Sequence, residues 1–381
     1  MTCMNIIISN STFDYPYDFS AGNTKMEMVA LGLKNCGDDV ALFNSFAGKR
    51  HDCGVSEKGV EYHSFKRHKF DKFYICNAIS YYRILKKKKR SDGKNYILTS
   101  SFSIRFLIIQ KMISFLLGYK LIYIYHEDHY ASNEKLKEKV SGYLYDNFFA
   151  CLFDSYLPIS HVLLNKCARF HKPTFILPIL SEYDDLSNVS AVNKKRQLVY
   201  CASIVYYRVI TVILAAFTTL HNVHSDVVLK LVLYGGGKNM YKRLDDDICR
   251  LGLKGNVEVL HHVETADLKR LYRESLLLLI PLDPSKKQDK ARFSQKIAEY
   301  LSSATPLLTV KAGEIPYYFT DGVNAFVADD MSAESMFERM NYVLENIKES
   351  EDVGKRGFAL GKDKFDCRTV GKDLHGFLSR V

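Results

Sequence analysis

The sequence predicts an α/β protein built from two doubly wound domains facing each other across a cleft. Three observations carry that expectation. Short apolar runs of strand length alternate with amphipathic helical patterns, which implies mainly parallel sheets covered by helices on both faces. The alternation is interrupted once, in the polar stretch SEYDDLSNVSAVNKKRQ at 181–197. The chain has 381 residues, enough for two cores at about 100 to 200 residues per domain. The expected domains are 1–182 and 195–365, with a ligand between them at the carboxyl ends of the strands.

In chain order, residues 4–9 (MNIIIS) read as a buried strand. A polar loop with Gly22-Asn23-Thr24 follows, then the amphipathic run KMEMVALGLKNCG at 25–37. VALF at 40–43, YIC at 74–76, YIL at 96–98 and KLIYIY at 120–125 read as further strands. Between the last two, SIRFLIIQKMISFLLG is a helix closed by Gly118. After FILPIL at 175–180 and the polar stretch, a second series begins. It runs as strand LVYCAS, helix VITVILAAFTTLHNV, strand VVLKLVLYGGG, helix MYKRLDDDICRLGL, strand VEVLHHV, helix TADLKRLYRE and strand SLLLLIPL. Helix SQKIAEYLSS, strands PLLTV and NAFVA, and two terminal helices complete it.

Composition bounds the function. With 47% hydrophobic and 25% charged residues and 8 Pro, the chain is far from disordered or fibrous sequences. The nine cysteines form an odd set without C-x-x-C or zinc-ligand spacing, so no disulfide framework or metal site is expected, and the compartment is expected to be reducing. The N-terminus lacks a basic n-region and its apolar run is short, so no secretory signal is expected. No window approaches 18 uninterrupted apolar residues, so no membrane span is expected. The expected location is cytoplasmic.

The net charge of +10 is local: residues 51–100 carry 12 basic and 5 acidic side chains. Lys86-Lys87-Lys88-Lys89-Arg90, preceded by Tyr81, Tyr82 and Ile84 and near the apolar helix with Arg105 and Lys111, suits peripheral attachment to the anionic inner face of a membrane. Each basic residue near such a surface is worth about 1 kcal/mol. No nucleic-acid-binding pattern accompanies these charges.

The order LVYCASIVYYRVITVILAAFTTL, LVLYGGG, GNVEVLHHVETADLKRLYRESLLLLIPL, RFSQKIAEYLSSATPLLTV and GEIPYYFTDGVNAFVADD resembles the donor half of a family 4 retaining glycosyltransferase of the GT-B fold. The likeness covers nearly all of 197–330. Its most specific piece is Phe293-Ser294-Gln295-Lys296-Ile297-Ala298-Glu299-Tyr300. Ser294 is expected to N-cap the helix, and the helix start with Gln295 and Lys296 suits a diphosphate. Glu299 stands where the second glutamate of the family's E-x7-E motif binds the nucleotide ribose, and a carboxylate can accept from both ribose hydroxyls. The first glutamate is replaced by Ala291. The family's diphosphate-gripping arginine and lysine fall at Ser203 and Arg208, of which Arg208 can bind phosphate bidentately.

Gly235-Gly236-Gly237 is not G-x-G-x-x-G and does not open a unit, which disfavours a dehydrogenase. The resemblance places Gly236 near the nucleotide and Val263 near its base. It sets Gly22 in a first loop that approaches the donor diphosphate or acceptor, and His126, with Glu127 beside it, at the reacting centre. It also implies that the C-terminal helix, 366–381, packs back on the first domain. The implied activity is retaining, metal-independent transfer of a sugar from a nucleoside-diphosphate sugar to a glycan, expected to be a lipid-linked surface-polysaccharide intermediate, with no cofactor. A sugar-nucleotide epimerase or a non-catalytic binding protein of the same fold are the alternatives.

Overall fold

A computed structural model of the chain describes residues 3–10, 14–17, 20–44, 46, 48–67, 74–101, 103–132, 135–190 and 192–381. All candidate site residues are among them; Met1, Thr2 and, in the expected linker, Ala191 lie outside the described residues. Two units emerge. Unit 1 comprises Met1–Glu182, Ala291–Gln295 and Lys364–Val381, and unit 2 comprises Tyr183–Lys290 and Lys296–Asp363.

Unit 1 is organised by strands β1 (Asn5–Asn10), β2 (Asp39–Asn44), β3 (Asp52–Val55), β4 (Glu61–Ser64), β5 (Asn95–Thr99), β6 (Lys120–Tyr125) and β7 (Ser155–Pro158). They form one sheet in the order β3-β4-β2-β1-β5-β6-β7. Every pairing is parallel except that of β3 with β4. The central strands are buried on both faces: Ile6, Ile7 and Ile8 of β1 and Leu121 and Ile122 of β6 are wholly covered. This is why they read as continuous apolar runs.

Two expectations for this unit are corrected. The first helix begins at Ala21, so Gly22-Asn23-Thr24 is its opening turn and not a loop. Ser20 is the reason: its side chain accepts from Asn23 N at 3.0 Å and caps the helix four residues before the amphipathic run. Tyr74–Cys76 is not a strand. The helix Ile75–Lys88 starts there because Asn77, Tyr81 and Leu85 repeat at helical spacing and are buried. Tyr81 is wedged against Phe43 and Phe46 at centroid distances of 5.5 and 5.4 Å.

The C-terminal helix Cys367–Leu378 packs on the helix Ala21–Lys34. Two glycines make the approach possible. A Cβ on Gly32 would lie 2.2 Å from the Cys367 carbonyl oxygen, and one on Gly371 would lie 2.4 Å from the Gly32 carbonyl carbon. His375 Nδ1 lies 2.8 Å from Asp38 Oδ2, and Tyr96 donates to the Leu378 carbonyl at 2.7 Å. Gly32→Val should therefore force the helices apart at a cost of about 1–3 kcal/mol or more. A thermal melt reads it; an unchanged transition would show that the contact contributes nothing.

Unit 2 carries a six-stranded, all-parallel sheet of β8 (Gln197–Ser203), β9 (Val228–Tyr234), β10 (Val257–Leu260), β11 (Leu277–Leu279), β12 (Leu307–Val310) and β13 (Phe326–Ala328). Its order is β10-β9-β8-β11-β12-β13. The order reverses between β8 and β11, which makes the carboxyl end of β8 the switch point of this sheet. Among the described residues, only Ile204–Val223 is a helical stretch long and apolar enough to cross a membrane. Its apolar side, including Ile210, Ile213, Phe217 and Leu220, is instead the core of unit 2.

Candidate functional site

At the carboxyl end of β8, Ser203 turns the chain into a short 3-10 helix, Ile204–Tyr206, and its hydroxyl accepts from Val205 N at 3.4 Å. The hydroxyl thus serves the turn. The end of β9 presses against this turn: a Cβ on Gly236 would lie 2.3 Å from Ile204 Cγ2, and Gly235 and Gly236 have φ of 71° and 69°. Only glycine meets both the close approach and the left-handed backbone. The Tyr241 hydroxyl donates to the Gly235 carbonyl at 3.1 Å, and its ring meets His261 edge-on at 4.7 Å. That pair links the glycine run to the loop after β10 that holds the half-buried Val263.

The helix Gln295–Leu301 supplies two charged groups here, with Ser294 just before its start. Lys296 Nζ and Glu299 Oε2 are 2.7 Å apart, and each side chain is about one-fifth exposed. Cys201 of β8 and Tyr234 at the end of β9 are electrostatic neighbours of Lys296, which places the pair by the ends of those two strands. Burial opposes the charge on Lys296, but Glu299, Cys201 and Tyr234 together outweigh it and hold its proton more tightly than usual.

Arg208, in the first turn of the helix Tyr207–Val223, is largely exposed, and its Nη1 lies 3.0 Å from Asp283 Oδ2 and 3.3 Å from the Ser285 hydroxyl. Asp283 is buried, and its other oxygen accepts from Ser285 N and Oγ. This carboxylate orients the arginine and was not legible in the sequence: it lies 75 positions away in a loop without periodicity.

Gln295 has a structural task. Its amide donates to the Leu180 carbonyl and accepts from Leu180 N at 3.3 Å, so both ends fasten backbone within unit 1, leaving one N–H and one lone pair beyond these bonds. Ala291 is buried, and its carbonyl accepts from the Ser160 hydroxyl at 2.7 Å.

In unit 1, His126 follows β6. The residue is half-buried, and its Nδ1 is buried with no hydrogen-bond partner among the described residues. Burial first, then the nearby charges of Lys25 and His129, lower its pKa to about 3, so the imidazole is neutral. Lys25 is buried, donates to the Leu177 carbonyl at 3.1 Å, and has its own pKa lowered by burial to about 7.

The turn after His126 is held by a residue the sequence did not single out for a role. His129 Nδ1 lies 3.2 Å from the Glu127 carbonyl oxygen and its Nε2 lies 2.9 Å from the Tyr123 hydroxyl, while its backbone N–H donates to Asp146 at 3.2 Å. Asp128 pairs with Lys166, and the Glu127 side chain points to solvent. No group of three metal-ligating side chains exists among the described residues. Gly22, inside its helical turn, lies in the same unit.

Residues 183–359 match the family model of glycosyl transferases, group 1. Three solved structures are similar over nearly the whole chain. The Anabaena HepE structure in complex with UDP has 15% identity and a TM-score of 0.74, covering 99% of this chain and 100% of that one. Sucrose-phosphate synthase from Thermosynechococcus elongatus has 12% identity and a TM-score of 0.77, covering 99% and 98%. A glycosyltransferase from Rickettsia africae has 12% identity and a TM-score of 0.73, covering 100% and 99%. No curated protein sequence matches the chain. At such identities the structural likeness establishes the fold, which is GT-B.

Proposed function

We propose that the chain is a retaining glycosyltransferase of family 4 that moves a sugar from a nucleoside diphosphate to a glycan acceptor. The observation that carries this reading is the Lys296–Glu299 pair by the ends of β8 and β9, inside the segment that matches the group 1 family model. A nucleotide arriving there meets Glu299 with its ribose hydroxyls and the backbone of Gly235 and Gly236 with its phosphates. Uridine diphosphate is the first nucleotide to test, since the Anabaena relative of this fold is solved with it.

The chemistry follows from charge. As the glycosidic bond breaks, negative charge grows on the leaving diphosphate, and Lys296 and Arg208 are the cations of unit 2 set to stabilise it without a metal ion. Arg208 is shared with Asp283, so its full charge reaches the phosphate only as that contact loosens. Ala291 offers no carboxylate to the sugar. Attack then comes from the face the diphosphate leaves, with a diphosphate oxygen taking the acceptor proton. His126, neutral, contributes a hydrogen bond to the sugar and no charge. The acceptor in this reading is a lipid-linked surface-polysaccharide intermediate, handled in the cytoplasm at the inner face of the membrane.

Arg208→Ala tests the charge argument. It should lower turnover more than it lowers ground-state affinity for the nucleotide sugar, because the interaction strengthens in the transition state. Calorimetry beside initial rates reads the split. Equal loss in both would mean uniform binding, and full activity would make Arg208 a surface charge held by Asp283.

A further inference from the structure

Among the described residues, unit 1 has one layer of helices with exposed apolar side chains, independently of what unit 2 binds. The connections β4 to β5, β5 to β6 and β6 to β7 all step across the sheet in the same direction, whereas β1 to β2 steps the other way. Right-handed crossovers therefore put the helices Ile75–Lys88, Ile104–Leu117 and Leu136–Asn147 side by side on one face and Ala21–Lys34 on the other. The second face is covered by the C-terminal helix. The first is bare.

Of the 21 large hydrophobic side chains exposed among the described residues, twelve lie within 75–148, a fifth of the chain. They are ordered along the helices. Ile108, Met112, Phe115 and Leu116 repeat at helical spacing on the outside of Ile104–Leu117, with Phe115 84% and Leu116 67% exposed. Leu136, Val140 and Tyr143 make a second outward stripe, with Leu136 78% exposed. Tyr143 continues through edge contacts to the exposed rings of Tyr130 and Phe148, at 6.3 and 6.4 Å. Ile75 and Ile79 add the outer side of the third helix. A helix with apolar residues on both its inner and outer sides is unusual where its outside meets water.

Charge identifies what covers this layer. Residues 75–148 carry 13 Lys and Arg against 6 Asp and Glu, which is +7 of the chain's net +10. Arg83, Lys86, Lys87, Lys135 and Lys137 are exposed around the apolar stripes. The basic run itself is only partly available: Lys88 is paired with Glu61 at 2.7 Å and Arg90 with Asp92 at 3.0 Å. A second copy of the chain would bring like charges together on this face.

We propose that this three-helix face of unit 1 is a docking surface for an anionic lipid bilayer, with Phe115, Leu116, Leu136 and Phe148 entering the interface and the flanking lysines meeting the headgroups. Apolar area and basic charge then act together, as interfacial binding requires. The lysine run is the rim of this surface and the apolar helices are its centre.

The test is flotation of the purified full chain with phosphatidylcholine vesicles, with and without phosphatidylglycerol. Binding is expected to the phosphatidylglycerol vesicles alone and to fall as salt rises. The double variants Phe115→Ser with Leu116→Ser, and Lys86→Ala with Lys87→Ala, should each lower partitioning about tenfold or more. All four positions are exposed, so thermal transitions should match that of the unaltered chain and show that the fold is kept. No flotation with either vesicle, equal flotation with both, or undiminished binding by the variants would overturn the proposal. So would a dimer in sedimentation that the Phe115→Ser, Leu116→Ser variant dissolves, since that would give the face to a second copy.

Discussion

Glu299→Ala should weaken nucleoside diphosphate binding about 10- to 100-fold, because losing a charged hydrogen-bond partner costs about 1.5–3 kcal/mol. Part of the loss comes from Lys296. With its carboxylate 2.7 Å away removed, the ammonium keeps the burial that opposes its charge and loses the strongest influence that sustains it. Glu299→Gln separates the two effects, since it retains hydrogen bonding to the ribose and removes only the charge. Calorimetry with uridine diphosphate is the measurement. Unchanged affinity in a folded Glu299→Ala variant would remove the pair from the donor site and make it a structural ion pair of its helix.

His126→Ala should leave nucleotide binding intact and lower sugar transfer about 100-fold or more, the scale on which misplacing a reacting group costs rate. The asymmetry follows from where the residues reside: His126 belongs to unit 1, whereas Lys296, Glu299 and the glycine run belong to unit 2. Among the described residues the buried Nδ1 of His126 has no hydrogen-bond partner, which is uncommon for a buried polar atom. Because the ring's pKa is lowered to about 3, it stays neutral throughout the range where the protein is assayed. The deficit of the variant should therefore be the same at mildly acidic and mildly basic pH. Loss of bare nucleotide binding, or normal transfer, would take His126 out of the reacting centre.

What was legible in the sequence, and what was not, divides along physical lines. The strands β1, β6, β8 and β9 were legible because central parallel strands are buried on both faces and so are apolar without interruption. The hairpin of β3 and β4 was not. Asp52 to Val55 lies at a sheet edge with alternate side chains exposed, and its composition is that of a loop. YIC at 74–76 has strand composition, yet Tyr81 and Leu85 extend its burial at helical spacing, and tertiary packing decides such short runs. Gly22 was assigned to a loop because Gly and Asn weaken a helical pattern; the Ser20 cap overrides them.

The candidate site was legible to the extent that its residues are neighbours in sequence. Lys296 and Glu299, one helical turn apart, could be recognised together. Gln295 stood in the same motif, and nothing in its position signalled that Leu180, 115 residues away, would occupy its amide. The Arg208–Asp283 contact and the role of His129 in holding the Glu127 turn have the same character. Long-range pairing of single polar side chains has no period, so no pattern announces it. The apolar helix Ile104–Leu117 was legible beside the basic run, but which of its side chains face outward was not, because a helix apolar on all sides has no pattern that marks its exposed side.

The most direct test of the central claim is the fate of a nucleotide sugar in the presence of the purified chain, with EDTA added, followed by nuclear magnetic resonance. With UDP-glucose and related donors in turn, the account predicts release of the nucleoside diphosphate and a transferred or hydrolysed sugar whose anomeric configuration is that of the donor. The same reaction should be lost in Glu299→Ala. Isomerisation of the free donor without release of nucleotide, an inverted product, or a requirement for divalent metal would contradict it.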